Sequence, residues 1–157
     1  MKGDPQVLTY LNRALKQELT AINQYFLHAK MCKNWGFERL HGYIRKESID
    51  EMRHAEQVTE RVLYLDGLPN LQRLYPLRIG ETVLEMLRSD LTLEHEAVVR
   101  LNKGIALCVE LGDNGTRALL EGILVSEEEH IDWIDAQLAA IERVGEANWL
   151  SQQIHGG

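Results

Sequence analysis

Cysteine and proline are scarce in this 157-residue chain, which has two cysteines and three prolines. Cys32 and Cys108 are too few for a disulfide framework and are not spaced like a zinc-binding pair, so we expect both thiols to be reduced. No apolar run approaches the roughly 18 residues of a transmembrane helix, and no apolar stretch of a secretory signal follows the N-terminal lysine. These absences predict a soluble, cytoplasmic protein with no membrane partner.

Basic residues are also in deficit. Lysine and arginine together number 17 against 24 acidic residues, which gives a formal net charge of −7. Because general nucleic-acid binding needs a basic surface, this balance predicts no nucleic-acid partner. Hydrophobic residues are plentiful at 45% of the chain, enough for a core without disulfides. We expect a single domain over residues 1–157.

Apolar residues recur at three- and four-residue steps along nearly the whole chain, which predicts helices. Gly36 and the run Gly112–Gly115 mark two short connections between antiparallel helices. The middle connection, 66–81, spans about 50 Å when extended and can run the length of a helix of about 42 Å. We therefore predict an all-α, ferritin-like four-helix bundle with one long crossover between helices 2 and 3. Residues 146–154 predict a short fifth helix.

Six ionisable residues occupy core-facing positions in the four apolar stripes. The first and third helices have one glutamate each, and the second and fourth each have a Glu-x-x-His pair whose members share a helix face. They are Glu18, Glu94, Glu51 with His54, and Glu127 with His130. In each antiparallel pair of helices 33 residues separate the two glutamates, and an offset of 76 residues relates the two pairs. Equal spacing about each turn predicts that all six side chains converge in the middle of the bundle.

Burying this set of side chains without a counter-charge is unfavourable, because unpaired buried carboxylates are costly or stay protonated. Two divalent metals remove the problem, since four negative charges then meet four positive charges while both histidines stay neutral. Carboxylate and imidazole ligands favour iron or manganese over metals that prefer thiolates. A lone Glu-x-x-His is usually a solvated surface pair. Two copies with two matching glutamates at core positions predict a dinuclear metal site.

Longer motifs make the chain similar to bacterioferritin over its whole length. They are AINQYFLH at 21–28, ESIDEMRHA at 47–55, GLPNL at 67–71 and SEEEH at 126–130. The resemblance implies a hollow cage of 24 subunits that oxidises Fe(II) and stores Fe(III) mineral inside. It leaves open whether the chain assembles alone or with a second ferritin subunit, and whether oxygen or peroxide is the oxidant.

The resemblance also implies roles for the six residues. Glu51 and Glu127 bridge the two irons of a ferroxidase centre. One iron is completed by Glu18 and His54, and the other by Glu94 and His130. Tyr25 is similar to a tyrosine that the family has beside this centre, and a plain core tyrosine is the alternative.

Met52 lies about 100° around its helix from Glu51 and therefore faces away from the predicted metal site. By itself it is typical of a gap-filling methionine at a subunit contact. Bacterioferritins place here a methionine that ligates haem across a twofold axis, so the resemblance implies one haem b per subunit pair. It also implies a small ferredoxin-type electron donor, whose docking surface would include Leu68–Pro69, Glu81 and Glu85.

Lys46 departs from the family pattern. Some relatives have a histidine there, next to an aspartate matching Asp50, as an inner-surface iron site, and the lysine leaves Asp50 without that partner. His28 has no partner at ligand spacing and is expected to be a surface or packing residue.

Two other functions use related bundles. A haem-free di-iron oxidase or peroxidase of the rubrerythrin kind usually adds a Cys-x-x-Cys module, which this sequence lacks. A DNA-protecting mini-ferritin builds its iron site between subunits, whereas this chain has the whole six-residue set. The sequence therefore favours an iron-storage ferroxidase over both alternatives.

Overall fold

Five helices make up the fold of the computed structural model, which describes residues 1–155 and has no strand in that range. They are α1 (Pro5–Asn34), α2 (Glu38–Tyr64), α3 (Val83–Leu111), α4 (Asn114–Val144) and α5 (Glu146–Ser151). The first helix packs along α2, α3 packs along α4, and α1 also contacts α3, which completes a four-helix bundle. The predicted all-α class is confirmed. Helix α5 ends at Ser151, earlier than predicted, and the last two residues of the expected domain lie outside the described range.

None of the helices in the described range is long and apolar enough to cross a membrane.

Local sequence explains where the long helices begin and end. At the start of α3, Thr82 Oγ1 accepts a hydrogen bond from the Glu85 N–H at 3.2 Å. The Glu85 carboxylate accepts from the Glu81 N–H at 2.8 Å, so the capping box forms with its second bond shifted by one residue. Helices α3 and α4 end at Gly112 and Gly145, whose φ angles of 71° and 87° favour glycine.

The core consists of two apolar clusters, with the predicted metal site between them. On every long helix, the buried members of one cluster lie on one side of the central glutamate, and the buried members of the other cluster lie on the other side. From α1 to α4 the flanking pairs are Leu15 and Ala21, Ile44 and Ala55, Leu93 and Leu101, and Ile123 and Ile134. Apolar packing therefore fixes the helices above and below one polar layer.

The crossover, residues 65–82, is a segment without regular secondary structure that runs along α1. Four α1 side chains on one face accept hydrogen bonds from crossover backbone N–H groups at 2.8 to 3.0 Å. The pairs are Asn12 with Asn70, Thr20 with Tyr75, Gln24 with Arg78, and His28 with Gly80. These bonds explain how so long a connection keeps one path, because its backbone donors are satisfied by side chains.

Candidate metal centre

The six ionisable residues predicted to converge lie together in the polar layer. Potential ligand atoms of Glu18, Glu51, His54 and Glu127 all lie within 4.8 Å of one another, and so do those of Glu51, Glu94, Glu127 and His130. Glu51 and Glu127 belong to both groups. The arrangement is therefore two adjacent positions, each surrounded by three carboxylates and one imidazole, with two carboxylates in common.

His54 supplies the imidazole of the first position. Its Nδ1 atom lies 3.2 Å from carboxylate oxygens of both Glu51 and Glu127, and 3.6 Å from one of Glu18. The four glutamates of the layer are at most 2% exposed, whereas the His54 side chain keeps 12% of its surface in contact with solvent. The α2 side of the centre is therefore the more open one.

His130 supplies the imidazole of the second position. Its Nδ1 atom lies 3.4 Å from a Glu51 oxygen and 3.6 Å from a Glu94 oxygen. The other ring nitrogen, Nε2, lies 3.6 Å from the carboxylate of Asp50. A carboxylate at the second ring nitrogen is the common way to orient a metal-binding histidine. Asp50 therefore lies behind the centre, in a place that helix spacing alone did not predict.

Several polar atoms of this layer are buried without any hydrogen-bond partner. They belong to Glu18, Glu47, Glu51, Glu94, Glu127 and His130. Such atoms are rare in folded proteins because each costs about 1–3 kcal/mol. All of them except the Glu47 oxygen are in the six-residue set, and hard carboxylate oxygens with imidazole nitrogens suit divalent iron or manganese. The residues present therefore fit a pair of such metals.

Without a metal, two members of the layer, Glu127 and His130, are shifted toward their protonated forms. Burial raises the pKa of Glu127 well above its usual range, and the carboxylates of Glu51 and Glu94 raise it further. Burial also opposes ionisation of Glu51, but its contacts with His130 and His54 outweigh burial and lower its pKa to about 2. Burial by itself lowers the pKa of His130, yet Glu51 and Glu94 beside the ring raise it to about 11. Both shifts favour the protonated forms of Glu127 and His130 when no metal is bound.

Binding of divalent metal at neutral pH should release those protons. Metal ligation needs an ionised carboxylate and a neutral imidazole, so Glu127 and His130 must each lose one. We expect about two protons per chain at saturation, and an apparent affinity that increases with pH. Calorimetric titration with Co(II) in buffers of different ionisation enthalpy measures this number, and a heat that does not depend on the buffer would contradict it.

Tyr25 contacts the centre directly. Its side chain is fully buried, and its hydroxyl donates a hydrogen bond to the Glu94 carboxylate. Burial raises the pKa of Tyr25 well above 10, and the charge of Glu94 adds to the effect. The phenol therefore keeps its proton, and by donating it in a hydrogen bond it can orient the Glu94 carboxylate.

Buried polar residues outside the six-residue set also lie in this region. Glu47 is 3% exposed, and burial raises its pKa well above the usual range. Asp90 is 3% exposed and accepts a hydrogen bond from His28, whose ring is fully buried. His28 is thus a packing residue, and the surface alternative is wrong. One sequence feature could have indicated that Asp90 lies near the centre. It is four residues before Glu94, and this spacing places both carboxylates on one face of α3.

Met52 lies on the outer face of α2, with 48% of its surface exposed. A thioether in that position is available to a group bound between two copies of the chain, so this residue fits an inter-subunit ligand. Leu68, at the start of the crossover, is 84% exposed, and Glu81 and Glu85 are exposed as well.

Known proteins resemble this chain along nearly its whole length. The family described as the ferritin-like domain matches residues 8–144. The chain is 53% identical to a bacterioferritin of Mycobacterium leprae over 152 residues, which cover 97% of this chain and 96% of that protein. It is 50% identical to a bacterioferritin of Streptomyces coelicolor over 154 residues, 98% and 92% of the two chains. A bacterioferritin of Rhodobacter capsulatus is 42% identical over 145 residues, 92% and 90% of the two.

Proposed function

We propose that this chain, which belongs to the ferritin-like family and within it to the bacterioferritins, stores iron and acts as a ferroxidase. The observation that carries the proposal is the pair of adjacent four-residue groups sharing Glu51 and Glu127. Fe(II) is the substrate of this centre. Iron bound there is oxidised and then passed to an Fe(III) store.

Two adjacent positions suit a two-electron oxidant. Each Fe(II) gives up one electron, so with hydrogen peroxide two Fe(II) and two protons yield two Fe(III) and two water molecules. Glu51 and Glu127 face both ions, Glu18 and His54 serve one, and Glu94 and His130 serve the other. Four carboxylates balance the charge of two Fe(II) ions. Oxidation adds one positive charge to each ion, and hard carboxylate oxygens suit Fe(III) as well as Fe(II), so the centre can hold iron in both oxidation states.

The proposed store is the interior of a closed cage of 24 subunits, built from this chain alone or mixed with a second ferritin subunit. Large apolar side chains are exposed on the single chain, among them Phe26 and Leu27 on α1 and Leu71 in the crossover. Large exposed apolar patches are typical of subunit contacts.

The assembled protein should therefore scatter light as a very large particle. Chains of 18.0 kDa in a 24-subunit cage give a mass of about 430 kDa. A monomer or simple dimer in native buffer at moderate salt would contradict the storage role. Dimers found only at low salt or low concentration would not, because cage subunits can dissociate.

We also propose that haem b binds between pairs of subunits, with Met52 of each as the axial ligand. Bound haem would supply a one-electron carrier within the cage wall, which matters because stored Fe(III) must be reduced before it leaves. The proposed electron donor is a small ferredoxin-type protein. Its docking surface would include Leu68–Pro69 near the start of the crossover, where Leu68 is exposed and Pro69 is half-buried. It would also include the exposed Glu81 at the end of the crossover and the exposed Glu85 in the first turn of α3.

One experiment tests the ferroxidase proposal. The purified assembly is titrated with Fe(II) without oxygen and is then exposed to oxygen or peroxide, after an absorption spectrum has been recorded. We expect two Fe(II) bound per chain and rapid oxidation of both. Oxidation no faster than in buffer would refute the proposal, and rapid oxidation in a protein that cannot take up haem would favour the haem-free oxidase instead.

A further inference from the structure

Asp90 is a buried carboxylate outside the six-residue set, and it has two hydrogen-bond donors of its own. Gln24 Nε2 donates to Asp90 Oδ1 at 2.8 Å, and His28 Nδ1 lies 2.9 Å from the same oxygen. Gln24, His28 and Asp90 are each at most 3% exposed. Two side chains of α1 therefore supply hydrogen-bond donors to this buried carboxylate.

Gln24 and His28 hold the crossover with their other polar atoms. Gln24 Oε1 accepts from the Arg78 N–H at 3.0 Å, and His28 Nε2 accepts from the Gly80 N–H at 3.0 Å. Because Nε2 is an acceptor, Nδ1 carries the ring proton and is the donor to Asp90. Each side chain therefore bridges a crossover amide and Asp90, and turning either one over would break both of its bonds.

The end of the crossover is also fixed sterically. A Cβ atom on Gly80 would lie 2.4 Å from the backbone nitrogen of Met86, in the first turns of α3. Only glycine permits this close approach. The Gly80 amide is therefore set against both α1 and α3.

Tyr25 connects the same turn of α1 to the metal centre. It lies between Gln24 and His28 in the sequence and donates to Glu94, one turn beyond Asp90 on α3. Neighbouring residues of α1 thus contact two carboxylates that share one face of α3. A movement of α3 that displaces Glu94 must displace Asp90, and with it the crossover bonds.

We propose that Asp90 is a positioning residue that couples the crossover to metal binding at the Glu94 and His130 position. The inference rests on the proposed iron centre. A metal that fixes Glu94 also fixes Asp90, and this strengthens the attachments of the Arg78 and Gly80 amides. The coupling is reciprocal, so a crossover loosened at these amides weakens metal binding. Thr20 accepts from the Tyr75 amide but does not bond to Asp90, so this attachment of the crossover is outside the coupling.

Hydrogen exchange of the intact assembly tests the coupling, with Co(II) in place of Fe(II) so that no oxidation occurs. In the unaltered protein, saturating Co(II) should slow exchange at the Arg78 and Gly80 amides by at least about fivefold, the lower end of usual couplings. Asp90→Ala should remove this slowing and weaken Co(II) binding by a similar factor. Asp90→Asn keeps an acceptor oxygen for both donors and should restore most of it.

Thr20→Val is the matched control. It keeps the shape of the side chain and removes the acceptor of the Tyr75 amide, so exchange there should speed up. The effect of Co(II) on Arg78 and Gly80 should remain. If the Asp90→Ala protein does not assemble, Gln24→Met is used in its place, because it removes one of the two bridges. The effect of Co(II) on exchange of the Arg78 amide should then be lost.

Equal slowing by Co(II) in the unaltered protein and in the variant that removes the bridge would overturn the coupling and leave the ferroxidase proposal intact. Failure of the unaltered protein to bind Co(II) or Fe(II) at all would overturn both.

Discussion

Replacing Glu18 and Glu94 together with alanine should abolish rapid oxidation of Fe(II) while the bundle stays folded. Each of the two metal positions loses the one carboxylate that it does not share with the other. Loss of a residue that merely supports a metal ligand lowers affinity or activity 10- to 100-fold, so removal of two proposed ligands should exceed about 100-fold. Stopped-flow absorbance after mixing with Fe(II) and oxygen measures the initial rate.

The unfolding temperature of the same double variant should change little, although its oxidation rate falls. Glu18 and Glu94 each have a buried oxygen with no partner, and alanine removes that cost. The metal-free variant should therefore unfold at a temperature close to that of the unaltered protein, because this gain is offset by the empty space and by the buried Tyr25 hydroxyl, which loses Glu94 as its acceptor. Added Co(II) should no longer raise that temperature. This pattern separates a lost metal site from a damaged fold.

The control is a double variant of exposed glutamates, Glu110→Ala on α3 with Glu128→Ala on α4. It changes the net charge by the same amount and should leave the oxidation rate unchanged. Fast oxidation at two Fe(II) per chain in the Glu18 and Glu94 variant would show that the six-residue layer is not the ferroxidase centre.

The polar layer could be predicted from the sequence because helix geometry is regular. Equal spacing about two turns fixes the relative heights of side chains, and the structure places Glu18, Glu51, Glu94 and Glu127 in one layer. The same regularity predicted the order of the helices, and the length of the middle connection predicted the long crossover between α2 and α3.

The path of the crossover could not be predicted in the same way. It is held by α1 side chains that bond to backbone amides, and a backbone amide has no signature in the sequence. The network of Gln24, His28 and Asp90 was missed for this reason. His28 has no partner at ligand spacing in the sequence, whereas in the structure its ring accepts from the Gly80 amide of the crossover. Asp50 behind His130 was missed because its contact crosses between α2 and α4.

Met52→Leu should remove haem from the assembled protein and leave Fe(II) oxidation unchanged. Leucine has a similar volume, and the residue is 48% exposed, so the substitution should disturb the fold little. The thioether sulfur is the only atom of this side chain that can ligate iron, so its loss removes both proposed axial ligands of a shared haem. We expect the Soret band to disappear after reconstitution, while two Fe(II) per chain are still oxidised rapidly.

Reductive release of stored iron should then slow, because electrons from an external donor lose their carrier through the cage wall. The control is Met31→Leu, which removes a partly buried methionine from α1 and should keep the Soret band. Both variants are loaded with the same amount of iron, and Fe(II) chelation is followed after a ferredoxin-type reductant is added. A Met52→Leu protein that retains haem with an unchanged spectrum would make Met52 a surface packing residue.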